Sequence, residues 1–258
     1  MISSTFTPAS GHGLLAAWRR LRWNHPEWAL VVTAAAAWVA VVTAVPPTSR
    51  GSAAALHPSH AHDVLQAPPE GMNHAMSVTH WTLMVVAMML PTVLPAARFV
   101  GLTGKWRRRG RGPTLFVLGY LTVWIAVGVL VLAVLRQLAP AVHGRWAVVA
   151  ALVTASLWEL SAWKVRFLRA CHRHPPIPPV GWKADAGCVK RGASNGLACV
   201  GACGAIMTPM LVTDHLHALW LMVPLAAVVA YQKAGTPSRV TRPVAAGLIA
   251  GAVAVAIW

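Results

Sequence analysis

Apolar runs recur seven times along this chain, at 28–45, 79–97, 114–135, 146–163, 196–213, 216–232 and 244–258. Each is about 15–22 residues long and holds at most one charged side chain, the length and polarity of a helix that crosses a bilayer. Charged residues make up only 11% of the sequence and the mean hydropathy is +0.57. A soluble core does not need such runs, so the expected fold is all-α: a polytopic transmembrane helix bundle. The count is six to seven spans, six if the closely spaced fifth and sixth runs form a re-entrant hairpin. The last run is short and ends on Trp258.

The formal net charge of +16 would point to nucleic acid in a soluble protein. Its distribution points elsewhere. On one side of the alternating topology, segments 1–27, 98–113, 164–195 and 233–243 carry 3, 6, 7 and 3 Lys and Arg, which is 19 in all. The opposite side carries only Arg50, Arg136 and Arg145. This positive-inside bias puts the N-terminus in the cytoplasm and makes the basic blocks topology determinants that face anionic lipids. A nucleic-acid partner is not expected, and the expected location is a bacterial cytoplasmic (inner) membrane.

Residues 1–27 therefore read as a basic cytoplasmic segment and 28–45 as the first transmembrane helix. The lead-in is long for a signal peptide, and Ala44-Val45-Pro46-Pro47 offers no clean cleavage site, so a retained signal-anchor is expected. An external loop rich in His and Met occupies 46–78, and the rest of the bundle runs over 79–258.

Met72, Met76, His80, Met84 and Met88 recur at every fourth position. Four residues turn an α-helix by about 400°, so such a series stays near one stripe. Thioether and imidazole groups suit a soft metal such as Cu(I). Methionine also fills gaps in helix packing, which is the competing explanation. On the fifth run, Cys199, Cys203 and Met207 share a face, with Met210 one residue short of the next step. With Met89 added, the expected metal residues are His80, Met84, Met88, Met89, Cys199, Cys203, Met207 and Met210. Prolines interrupt both runs at Pro91 and Pro209, as in helices that form midplane sites in transporters.

His57, His60, His62, Met72, His74 and Met76 in the external loop, with His215 and His217 at an outer helix mouth, form a possible metal-capture surface. A polar linker with hydrated imidazoles explains the same tract. All four cysteines fall on the inner side, where thiols stay reduced, so no disulfide framework is expected. Cys171, His172, His174 and Cys188 form a possible cytoplasmic site, although their spacing lacks paired C-x2-C knuckles. Glu159 is the one acid inside an expected span, with Lys164 or Arg166 in reach as a structural partner.

The run Trp81-Thr82-Leu83-Met84-Val85-Val86-Ala87-Met88-Met89-Leu90-Pro91 resembles the signature helix of an uncharacterised bacterial family of predicted metal-binding integral membrane proteins, W-x2-M-x2-A-M-M-x-P. Gly119-Tyr120 with Trp124 resembles the family's next helix. The segment from Gly196 through Cys199 and Gly201 to Cys203 resembles its G-x2-C-x-G-C-C segment, and Cys171 with Pro175 its C-R-x-P loop. The resemblance covers about residues 75–235 and implies metal binding without naming the metal. The chain departs from the pattern at Ala202, where the family has the first of two adjacent cysteines, and at Gly204, Phe167 and Trp158-Glu159.

No phosphate-cradling loop, nucleophile elbow or H-E-x-x-H is present, and six acids leave little for acid–base chemistry, so no enzyme is expected. Two functions remain. One is an inner-membrane protein that binds a soft metal, copper as Cu(I) before others, and takes part in its transport or handling, with a metallochaperone or membrane-complex partner. The other is a non-catalytic scaffold or subunit of a larger membrane complex, its Met and Cys residues serving helix packing.

Overall fold

The computed structural model describes residues 27–43, 78–104, 109–138, 144–173, 181–213 and 215–257. Among these, all regular structure is helical: α1 (Trp28–Thr43), α2 (Val78–Thr103), α3 (Arg111–Leu138), α4 (Arg145–Glu159), α5 (Ala162–Cys171), α6 (Gly181–Leu211), α7 (His215–Ala234) and α8 (Pro237–Ile257). Four are long and apolar enough to cross a membrane, or five if α4 and α5 together form one broken span. α1 and the Leu221–Ala234 part of α7 are apolar but shorter.

Two elements differ from the expected layout. The fourth run does not continue to 163: α4 stops at Glu159, and α5 leaves at 74° to it. Ser161 sets the break. It takes an extended backbone and its hydroxyl accepts the Lys164 amide at 3.1 Å, so it caps a new helix. The second difference is α6, which starts at Gly181 instead of 196, so most of the expected 164–195 loop is helical. Arg111 of α3 pairs with Asp185 in the early part of α6 at 2.9 Å.

α6 is the centre of the bundle. It packs along α3 and also against α4, α5 and α7, while α2 lies between α1 and α3 and touches α7. The α3–α6 approach is close because glycines face backbone. A Cβ on Gly192 would run into the Phe116 carbonyl, and one on Gly119 into the Val189 backbone. Small residues at a helix contact allow this approach in an apolar medium, where dispersion and interhelical hydrogen bonds hold the pair. α2 is keyed to α3 by Trp81, whose indole Nε1 donates to the Trp124 carbonyl at 3.1 Å, with Gly128 leaving room for the ring.

In α6 a side chain makes up the bond that proline removes. Pro209 cannot donate to the Ala205 carbonyl, and the Thr208 hydroxyl donates to that oxygen at 2.7 Å. In α2, which contains Pro91 and Pro95, the Thr92 hydroxyl donates to Met89 O at 2.8 Å.

Candidate metal centre

The α3–α6 contact brings Tyr120 onto the cysteines. Tyr120 is fully buried, and its hydroxyl donates to Cys199 Sγ at 3.0 Å. Cys199 lies near Cys203, one turn on along α6, and near Cys171 at the end of α5. The three thiols thus form a chain with Cys199 in the middle, held by two helices. All three are buried and none is in a disulfide.

Two lysines stand near these thiols, Lys233 and Lys164. Lys233, in the last turn of α7, lies close enough to interact electrostatically with all three thiols. Its ammonium also donates to Thr92 Oγ1 on α2 at 2.9 Å and lies 5.9 Å from the centre of the Tyr120 ring. Five helices, α2, α3, α5, α6 and α7, therefore meet around Cys199.

A second polar cluster fixes the same stretch of α6 from the other side. Lys164 Nζ donates to Glu159 Oε1 at 2.5 Å, to Gln232 Oε1 at 2.8 Å and to the Ala202 carbonyl. Gln232 Nε2 donates to Glu159 Oε2 at 2.8 Å. All three side chains are completely buried, and the bonds close a ring in which each charge has a partner. Glu159 pairs with Lys164 across the α4–α5 break, one of the two partners its sequence position allows. Ala202 lies between Cys199 and Cys203, so this ring anchors the backbone of the thiol turn. Trp158 Nε1 adds a bond to Gly201 O at 2.9 Å, and Phe167 lies against the bare face of Gly201.

The methionines lie in the same core without joining the thiols by any hydrogen-bonded contact. Met84, Met88, Met89, Met207 and Met210 are all at most 1% exposed, as is Met222 on α7. α2 and α6, which carry the first five, have no extensive direct contact and meet mainly through α3 and α7. His80 is half-buried at the start of α2.

Other sequence candidates are distributed differently. Cys171 points to Cys199, whereas its neighbour His172 has both ring nitrogens facing backbone carbonyls, Leu168 O at 2.8 Å and Lys233 O at 2.9 Å. His172 thus joins α5 to α7 and turns no nitrogen lone pair toward a metal. Cys188 is buried further back on α6, near Gly112 of α3. Cys171 and His172 line one cavity, and Cys188 is not among its lining residues. His57, His60, His62, Met72, His74, Met76 and His174 lie outside the described residues, as do the side chains of His215 and His217.

Among the described residues, no three or more His, Cys, Asp or Glu side chains are grouped to hold a metal ion on their own. The donor set nonetheless suits a soft metal ion. Thiolates are soft ligands that suit Cu(I), as they also suit zinc and iron–sulfur clusters. A pair of thiolates on Cu(I) would carry one net negative charge, and the half-buried Lys233 stands where it would offset that charge.

Tyr120, Lys233, Gln232 and Asn195 are absent from the sequence-derived site. Lys233 was visible as an ionisable group closing an apolar run, and such groups are functional candidates by default. The partner of Tyr120 depends on helix contacts that spacing does not reveal.

The fold and the site together define a bundle of membrane-length helices around a buried soft-donor core. Over residues 78–255 the chain matches the PpoB2 family, described as a copper chaperone, and it belongs to that family. The matched region begins with α2 and ends within α8, so it includes every residue of the thiol chain, the Lys164 ring and Lys233. No curated protein and no solved structure gives a significant match.

Proposed function

We propose that this chain is an integral protein of a bacterial inner membrane that takes Cu(I) onto the Cys199 thiolate with Cys171 or Cys203 and passes it to an acceptor. The observation that carries the reading is the chain of three buried thiols with Lys233 beside it. Membership of a family described as copper chaperones supports copper over other soft metals.

The order of the thiols gives a route for that release. Cys199 belongs to two neighbouring pairs, so copper held with Cys171 can move to Cys203 by exchanging one Cu–S bond for another. No free ion and no change of oxidation state are needed. The buried methionines around this core are further soft donors along α2 and α6.

The test is copper content after anaerobic, reducing purification of the full chain from copper-replete cells. The expected result is near-stoichiometric copper that falls to background in Cys199→Ser and is reduced in Met84→Leu combined with Cys203→Ser. Full copper in Cys199→Ser would overturn the thiol assignment. A wild-type chain free of copper would leave the soft residues as packing, the scaffold alternative.

A further inference from the structure

The three thiols differ in access. Beside them lies a half-open cavity of about 270 Å³ between α2, α5, α6 and α7, and Cys171 is on its wall with Lys233 and Thr92. Cys171 is 8% exposed, whereas Cys199 and Cys203 are completely buried. A small polar molecule that enters the cavity therefore meets one thiol of the three, with Cys199 near it.

The helices that carry the thiols decide which two can join. Cys199 and Cys203 are four residues apart on α6, and side chains so spaced on a helix hold their Cβ atoms about 5–6 Å apart. A disulfide needs about 3.5–4.5 Å. Closing that pair would distort α6 where Lys164, bonded to the Ala202 carbonyl, and Trp158, bonded to Gly201 O, pin its backbone. Cys171 is under no such constraint, because it is the last residue of α5 and approaches Cys199 from another helix. Cys188, the fourth thiol, is buried near Gly112 and is not on the cavity wall.

We infer that Cys171 and Cys199 form a reversible disulfide when a hydroperoxide enters the cavity, Cys171 taking the oxidant and Cys199 resolving it. Redox-sensing thiols sit in electropositive surroundings next to a resolving cysteine. Here Lys233 is near all three sulfurs and offsets the negative charge that develops on an attacking sulfur. Tyr120 donates to Cys199 Sγ and holds that sulfur in place.

With hydrogen peroxide as the oxidant the steps balance. The Cys171 sulfur attacks one peroxide oxygen, the O–O bond breaks, and the thiol proton leaves with the second oxygen as water. Cys171 is then a sulfenic acid. The Cys199 sulfur attacks the Cys171 sulfur, the S–S bond forms as the S–O bond breaks, and the released hydroxide takes the Cys199 proton and leaves as a second water. Each sulfur has lost one electron, and the peroxide has gained two. In a reducing compartment such a disulfide is transient, a switch and not a staple. Taken with the reading of the chain as a copper carrier, on which this consequence rests, the disulfide leaves Cys203 as the lone thiol of the centre and turns copper uptake off.

The test exposes the metal-free, reduced full-length protein in lipid nanodiscs to hydrogen peroxide. Thiols counted after denaturation are expected to fall from four to two, and non-reducing peptide mapping to link Cys171 to Cys199. Cys203→Ser should keep that link and Cys171→Ser should lose it. In Cys199→Ser the sulfenic acid should persist on Cys171, where dimedone labels it. Four thiols remaining after peroxide, or a link from Cys199 to Cys203, overturns the inference. Loading with Cu(I) from its acetonitrile complex tests the copper reading separately. The oxidised protein is expected to take up no copper and to recover uptake after reduction with a phosphine. Normal loading of the reduced protein with no link after peroxide overturns the redox pair alone. A Cys171–Cys199 link in a protein whose reduced form takes up no copper supports the redox pair and overturns the copper carrier. Full loading of the linked protein overturns the switch.

Discussion

The Tyr120 hydroxyl donates to Cys199 Sγ at 3.0 Å, joining two residues 79 positions apart at the point where α3 and α6 are closest. The bond gives the central thiol a fixed donor that needs no reorganisation when the sulfur becomes a thiolate. Hydrogen bonds to charged groups contribute about 1.5–3 kcal/mol, so Tyr120→Phe is expected to weaken Cu(I) binding by roughly ten- to hundredfold. Competition with a chromophoric Cu(I) chelator measures this directly. An unchanged affinity would mean that the phenol serves packing only.

In the proposed copper site, Lys233 is the cation placed to offset the charge of a copper dithiolate. Lys233→Met should leave the fold intact, since Thr92 keeps its second bond to Met89 O. It should also make copper retention fall by about tenfold, because about 1.4 kcal/mol is tenfold in affinity and the lost charge pair is half-buried. Lys233→Arg restores the charge and is expected to recover part of the loss. If Met and Arg variants retain copper equally, charge at this position does not matter.

The difference between what hydropathy reveals and what it hides is clearest at Lys164 and Cys171. The long apolar runs at 79–97 and 114–135 become α2 and α3 because their composition suffices to specify a helix. The segment 164–195 reads as a loop because its lysines and arginines are counted as solvated. Lys164 is instead fully buried, neutralised by Glu159 and hydrogen-bonded by Gln232, 68 positions away. The early part of α6 is weakly apolar, yet it is held by glycine-to-backbone packing on α3 and by the Arg111–Asp185 pair. Cys199 and Cys203 are recognisable as neighbours from helical spacing. Cys171 joins them only because Ser161 caps a new helix and turns α5 back onto α6. The cap is a local signal; the contact it produces is tertiary.

The Glu159–Lys164–Gln232 ring should be sensitive to the loss of one charge. Lys164→Met strands a buried carboxylate, and removing one partner of a buried pair costs about 3–5 kcal/mol. A markedly lower melting temperature in detergent is expected, accompanied by faster alkylation of Cys199 and Cys203 as the Ala202 anchor is released. Combining Lys164→Met with Glu159→Gln removes both charges and should recover much of the thermal stability. If the double variant melts no higher than the single one, the ring is not balanced by its charges and the bond to Ala202 O dominates.

Gly192 tests whether the α3–α6 spacing itself builds the site. A methyl group there has no room, because the atom it meets is the Phe116 carbonyl oxygen, which belongs to backbone and cannot rotate away. Gly192→Ala must therefore push the helices apart near Tyr120, at a cost of about 1–3 kcal/mol for an overpacked contact. The Tyr120–Cys199 bond is the first casualty, so copper affinity should fall about as far as in Tyr120→Phe. Combining Gly192→Ala with Tyr120→Phe should then add little further loss of affinity, since both act on one bond. Gly247→Ala on α8, where a Cβ meets nothing within 4 Å, is the matched control and should change neither stability nor copper binding. Additive losses in the double variant would show that Gly192 acts on the site by a route other than Tyr120.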